Sequence, residues 1–449
     1  MPHRWPWKQR KPPRVFVLGL DGVPYSLLMR LAEQGVIPHL AALLKTGQTV
    51  PIHSVLPPIS SVAWASFMTA RNPGKHGIFG FVDRQPSSMQ LFLPTSAHLK
   101  AEPLWEAIGR TGKRVLVMNC PVTYPPRPVN GILVSGFEAP SLDKAVYPAD
   151  LVPKLRSWGY QTDANPRLGH RDLEAMMLAL RRVLKARFFT LFQLIAQESW
   201  DFVFCHVMET DRLHHFFWGP YAHEDRVFGA EFLRFYVELD ALIGSLLAAI
   251  PDETELILLS DHGFTELRTE FYLNTWLRES GWFVTAPDGA RGDGLSLGAG
   301  TRAYSLVPGR VYLNLRGRER DGIIELKDYA AARAELTDVL RAAKDPETGA
   351  AVIAQVLTRE EAFTGPHLDL APDLVVLPVD GFDLKGSHPQ GQLTGRGAIS
   401  GMHTYGDAFF FARGRRIVGN DLSVMDPAAT VCDLFQLDPG DRDGRNAVK

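Results

Sequence analysis

The stretch "VFCHVMETDRLHHFFW" (203–218) sets the reading of the chain. Its apolar run, Val203 to Met208, has the character of a strand buried on both faces. The run ends in Glu209, Asp211, His214 and His215, and then the chain turns aromatic again. Asp211 and His215 lie one helical turn apart, so both can face one ion. Similar unbroken runs recur in "RVFVLGLDG" (14–22), "KRVLVMNCP" (113–121), "TELILLSDHGF" (254–264) and "PDLVVLPVDG" (372–381). Segments of helical period lie between them, most clearly 173–198 and 225–250. Strands alternating with helices specify an α/β sandwich around a mostly parallel sheet.

From about 266 to 369 the texture changes. A Gly-rich stretch, "APDGARGDGLSLGAG" (286–300), precedes a strand-like "RVYLNLRG" (310–317) and a helix candidate, "LKDYAAARAELTDVLRAA" (326–343). This reads as an inserted cap that returns to the core near Pro372. The expected division is a basic tail (1–13), a core made of 14–265 and 370–449, and a cap (266–369).

The chain has 449 residues, enough for one large domain with an insertion. It is 45% hydrophobic and 22% charged with a net charge of -2, which argues against a nucleic-acid polymer as partner. Cys120, Cys205 and Cys432 are too widely spaced for a disulfide framework and read as reduced residues. Trp5 and Trp7, beside Lys8, Arg10 and Lys11, read as a solvated tail. There is no apolar leader, and no stretch nears the roughly 18 apolar residues of a membrane span, so a cytoplasmic protein is expected.

Several strands end in metal-type ligands: Asp21 after "VFVLGL", Asp211 and His215 after "VFCHVMET", Asp261 and His262 after "LILLS". Each has an ordinary reading, as a turn residue or a helix cap. Together, at three equivalent strand ends whose carboxyl edges can bring them together, they make a ligand set suited to Zn²⁺ or another divalent transition metal. "PPISSVAWASFMTARNPGKHGIFGF" (57–81) offers a nucleophile, Ser60 or Ser61, at the start of a short helix whose free N–H groups favour a phosphate.

The motifs "LGLDG", "SSVAW…MTARNPGKHGIFGF", "METDRLHHFFW", "SDHGF" and "GMHTYGDAFFFARG" occur in an order that resembles the alkaline phosphatase superfamily, in particular its type I phosphodiesterase/nucleotide pyrophosphatase family. "MNCPVTYPP…VNGILVSGFEAP" (118–140) and "AYSLVPGRVYLNLRGRERDGI" (303–323) resemble its predicted phosphohydrolase/phosphomutase subgroup. The resemblance runs from about residue 14 to 415. It implies an alkaline-phosphatase-like three-layer sandwich with an inserted cap and two divalent ions, Zn first, with Mn or Fe as alternatives. Asp21, Asp261, His262 and the nucleophile would hold one ion; Asp211, His215 and His403 would hold the other. The nucleophile falls on Ser60, with Ser61 as fallback. His388, in "KGSHPQG", competes with His403, which is preferred because the strand "AFFFARG" follows it. His214 matches a position that is not a ligand, and His76 would brace the loop after the nucleophile helix.

Two departures narrow the substrate. Nucleotide pyrophosphatases carry an Asn three residues after the nucleophile, where it contacts a phosphate oxygen; this chain has Ala63. The modification motif of sulfatases is absent, since Ser60 is followed by Ser61-Val62-Ala63-Trp64. The resemblance implies a two-metal phosphohydrolase, a phosphodiesterase first, that forms a phosphoserine on a small phosphate or phosphonate ester. Arg302, Tyr304 and the "GARGDG" loop of the cap are expected to select the leaving group. A phosphotransferase or phosphomutase is the alternative, as is a non-catalytic metal-binding protein, although all seven positions are filled. An ordinary α/β protein with coincidental turn residues is the third alternative. A homo-oligomer is compatible with the sequence.

Overall fold

Every residue of the first strand, β1 (Val15–Leu20), is buried, as a strand covered on both faces requires. The computed structural model describes residues 14–286, 297–386 and 391–449. The basic tail, the "GARGDG" loop and His388 lie outside the described residues.

The other strands of the central sheet are β2 (Gly47–Ile52), β3 (Val115–Cys120), β4 (Gly131–Ser135), β5 (Val146–Tyr147), β6 (Phe202–Val207), β7 (Glu255–Leu259) and β8 (Ala408–Arg413). Their spatial order is β2-β8-β7-β1-β6-β3-β4-β5. The five strands from β7 to β4 run parallel, while β8 pairs antiparallel with β7, β2 pairs antiparallel with β8, and β5 pairs antiparallel with β4. The expected mostly parallel sheet is therefore present.

Alternation along β1 sorts its side chains between two apolar layers. Phe16, Leu18 and Leu20 join a core packed beneath three helices, α2 (Leu173–Gln197), α3 (Glu209–Ala222) and α4 (Phe228–Ala249). Val15 and Val17 join the opposite core, which holds Trp64 and Phe67 of α1 (Ser60–Thr69) and the helix Met425–Leu434. Asp172 caps α2, its carboxylate accepting the Ala175 N–H at 2.9 Å. Among the described residues no single helix is long and apolar enough to cross a membrane.

A second, four-stranded antiparallel sheet orders Ala303–Leu306, Arg310–Leu313, Leu374–Pro378 and Ile353–Thr358 over its own apolar core, with helix Tyr329–Arg341 against it. This corrects the reading of "PDLVVLPVDG". Leu374–Pro378 pairs with cap strands and not with the parallel sheet. An unbroken apolar run marks a buried strand but cannot say which sheet buries it. The chain also stays outside the central sheet past Pro372. Phe382–Lys385 pairs with Thr269–Tyr272, and the central sheet resumes only at Ala408.

Gly19 of β1 faces the indole of Trp64, and a Cβ there would collide with the ring. That clearance lets the indole lie beside Asp21. Gly19→Ala is expected to lower stability by about 1–3 kcal/mol through overpacking, read as a lower urea midpoint with an unchanged m-value.

Candidate metal centre and active site

Three adjacent parallel strands deliver the site from their carboxyl ends. Asp21 follows β1, α3 follows β6 almost directly, and Asp261 and His262 follow β7. The Asp21 N–H donates to Val207 O at 3.1 Å, which keeps the exits of β1 and β6 level.

The fully buried Asp21 carboxylate is the hub. Its Oδ1 accepts from Ser60 Oγ at 3.2 Å and lies 3.5 Å from His262 Nε2. Its Oδ2 accepts from Trp64 Nε1 at 3.0 Å and from His206 Nε2 at 2.6 Å. Ser60 is the first residue of its helix, and Ile59, not Ser60, is the N-cap. The hydroxyl is therefore not used for capping, and Oγ also sits 3.3 Å from His262 Nε2. Ser61 Oγ is buried without a hydrogen-bond partner, so Ser60 is the serine brought into the cluster. Ala63 packs fully buried in the apolar core beside Trp64 and offers no side-chain hydrogen bond to a phosphate.

Asp211 lies in the first turn of α3, and Met208 is the N-cap. Its Oδ1 is 3.4 Å from His215 Nε2 and 3.1 Å from His403 Nε2, and the two Nε2 atoms are 3.0 Å apart. His403 reaches the site because Gly401–Thr404 pairs with Gly263–Glu266, the strand that follows His262. The His262 and His403 rings stack at 3.7 Å, so the two groups adjoin. Asp21, Asp261 and His262 are fully buried, whereas the His215 and His403 side chains are 19% and 17% exposed. The two His of the second group thus reach the cleft.

Both groups fit a cation. Asp261 Oδ1 accepts the Gly22 N–H at 3.0 Å, but its buried Oδ2 has no hydrogen-bond partner. Oδ2 is 3.3 Å from the neighbouring His262 Nε2, close yet without bonding geometry. Three rings turn Nδ1 to a backbone carbonyl: His262 to Gly263 O, His215 to Gly401 O and His403 to Pro58 O, at 3.1, 3.1 and 2.9 Å. That assigns the proton of the neutral ring to Nδ1 and leaves the Nε2 lone pairs converging, the arrangement of metal-ligating histidines.

The electrostatics agree. Without a cation, burial and then Asp21 push the Asp261 carboxyl well above its ordinary range. Burial also opposes ionisation of Asp211, but His215 and His403 hold it well below that range. Burial works against a charged His403 as well, yet Asp211 raises its pKa. The His262 imidazole is pushed down to about 3 by burial and by His403.

All seven expected residues therefore converge: Asp21, Ser60, Asp261 and His262 in one group, Asp211, His215 and His403 in the other. His214 turns away, Nδ1 to Gly22 O at 2.9 Å and Nε2 to Tyr236 Oη at 2.7 Å, and packs among aromatic rings. Arg302 and Tyr304 are engaged elsewhere. Arg302 pairs with Glu335 over Trp282, and buried Tyr304 bonds Arg84 and Glu319. The cap reaches the cleft through other residues.

Sequence reasoning missed His206. Its Nδ1 faces Asn119 O at 2.9 Å while Nε2 faces Asp21, so both ring nitrogens meet acceptors and the ring locks Asp21 in place. A lone His inside "VFCHV" was the available signal. Also missed was the buried Arg187–Glu209 pair, at 2.7 Å, which fixes the first turn of α3 to α2. Its Arg lies 22 residues from its Glu and carries no local pattern.

His76 braces the far end of the Ser60–Thr69 helix. Its Nδ1 accepts the Ile78 N–H at 3.2 Å, so Nε2 carries the proton and donates to Ser66 Oγ at 2.8 Å. Burial, with Arg71 nearby, pushes its pKa down to about 3. The unfolded state, titrating near 6.5, binds the extra proton first, so stability is complete above that pH and declines as pH falls toward about 3. Urea denaturation of the metal-free protein should show His76→Gln losing about 2 kcal/mol less than the native chain between about pH 7 and pH 5.

Comparison with known proteins bears on the family and the fold. A family model described as type I phosphodiesterase/nucleotide pyrophosphatase matches residues 15–406. Among solved structures, phosphonoacetate hydrolase from Sinorhizobium meliloti 1021, in complex with phosphonoformate, aligns at a TM-score of 0.63 and 18% identity over 93% of this chain and 95% of that one. Murine ectonucleotide pyrophosphatase/phosphodiesterase 5 aligns at 0.59 and 16% identity over 97% of this chain and 100% of its own. The human form aligns at 0.55 and 14% identity over the same shares. At these identities the likeness is one of fold. No curated protein matches by sequence.

Proposed function

The chain belongs to the type I phosphodiesterase/nucleotide pyrophosphatase family, and from that premise we propose that it is a phosphoric ester hydrolase that uses two divalent ions and Ser60. Its substrates are small phosphate or phosphonate esters, diesters first. The observation that carries this reading is the Ser60 hydroxyl at a helix N-terminus, 3.2 Å from Asp21 and 3.3 Å from His262, beside a second Asp-His-His group.

Asp21, Asp261 and His262 would hold one ion with Ser60 beside it, and Asp211, His215 and His403 the other. Bound there, divalent ions supply Lewis-acid charge that lowers the pKa of a hydroxyl and neutralises a departing oxygen. The mixed carboxylate and imidazole donors suit Zn²⁺, with Mn or Fe as alternatives.

The protein's own part is positioning. Ser60, having lost the proton it directs at Asp21, attacks phosphorus through Oγ. The bond from phosphorus to the leaving oxygen breaks, and water then cleaves the phosphoserine. The first intrahelical bonds of the nucleophile helix run from the Val62 and Ala63 N–H groups to Ile59 O at 3.0 and 2.9 Å, so the Ser60 and Ser61 N–H groups precede the hydrogen-bonded ladder at its positive end, where phosphoryl oxygens are favoured. Trp64 and His206 keep Asp21 from swinging away. Ala63 supplies no polar contact to phosphate, which favours simple esters over nucleotides.

The test uses metal-stripped protein reloaded with Zn²⁺ or Mn²⁺, assayed on bis-p-nitrophenyl phosphate and p-nitrophenyl phosphate. Metal-dependent release, faster on the diester, is expected, with a loss of at least about 10³-fold in Ser60→Ala. Full activity in Ser60→Ala, or none from the native chain with any metal, would overturn the proposal.

A further inference from the structure

A cavity of about 190 Å³ opens on the cleft between core and cap, and it bears on substrate choice. His215 and His403 form its polar end, while no residue of the Asp21/Asp261/His262 group lines it. On the core side the wall is Pro58, Ile59 and Phe81; on the cap side it is Val307, Leu377 and Leu384. Phe81 is 43% exposed, stacked on Phe137, and Val307 is 44% exposed. Large apolar side chains left open on both walls of one cleft mark a binding surface. The charged side chains in the lining other than the two His are Asp383 and Lys385, and these pair with each other at 2.5 Å. Neither is free to meet a second phosphate, and the wall is too apolar for a sugar.

We infer that this cavity receives the departing group of the ester and selects a single aromatic ring. The inference rests on the two-ion hydrolase reading, in which Asp211, His215 and His403 serve the oxygen that leaves. The group attached to that oxygen then lies against the wall those two His begin. The volume suits one ring: an apolar cavity of roughly 150 Å³ holds benzene. The substrates are therefore aryl phosphate or phosphonate esters, with selectivity set by apolar cap residues and not by Arg302 or Tyr304.

The test is isothermal titration calorimetry of the Zn²⁺-loaded protein with phenylphosphonate and methylphosphonate. They share a head group and carry a P–C bond where a substrate carries the leaving oxygen. Phenylphosphonate should bind at least about tenfold more tightly. Val307→Asp should cut that preference below about threefold, and Phe81→Ser, on the opposite wall, should cut it independently. Val237→Asp, on an exposed position of α4, should retain it. Equal affinity for the two ligands, or a preference that survives both wall variants, overturns the inference and leaves the hydrolase reading standing. Failure of both phosphonates to bind overturns this inference and the hydrolase reading together.

Discussion

The structure of the site depends on holding one buried carboxylate, Asp21, in a single orientation. Burial opposes its charge, and hydrogen bonding from His206 is the largest influence that restores it. Four side chains from three parts of the chain converge on its two oxygens: Ser60 and Trp64 from one helix, His206 from β6, and His262 from beyond β7. Each contact carries a demand elsewhere in the sequence. Trp64 needs Gly19 as clearance, His206 needs the Asn119 carbonyl, and Asn119 accordingly takes a left-handed backbone conformation at φ 66°. A misplaced Asp21 would lose both its contact with Ser60 and the inner charge cluster.

Two layers of design meet at this point. The parallel strands fix the inner group deep in the core, where burial makes an uncompensated charge costly and a bound cation favourable. The antiparallel pair Gly263–Glu266 and Gly401–Thr404 brings His403 across to Asp211 and His215 at the cleft. Among the described residues the cap contributes no member of either group. Its share is part of the apolar wall that His215 and His403 adjoin.

Much of this was legible in the sequence because the chemistry sits at strand ends. "LGLDG", "METDRLHH" and "SDHGF" each place an acid or His where a buried apolar run stops, and parallel strands align their carboxyl ends without further instruction. His403 was legible only through a family resemblance, since its pairing partner lies more than a hundred residues earlier. The "PDLVVLP" strand was misplaced because burial on both faces looks the same in either sheet. His206 and Arg187 escaped because a polar residue in an apolar run gives no hint of its partner, and these partners lie 185 and 22 residues away. The cleft residues of the cap escaped for the opposite reason. Val307 and Leu377 look like ordinary strand residues until the fold turns them toward the site.

Anomalous X-ray diffraction from crystals grown with Zn²⁺ addresses the central claim most directly. Two peaks are predicted, one bounded by Asp21, Asp261 and His262 and the other by Asp211, His215 and His403, with Ser60 beside the first. A single peak, or peaks bound by other residues, would contradict the two-ion site.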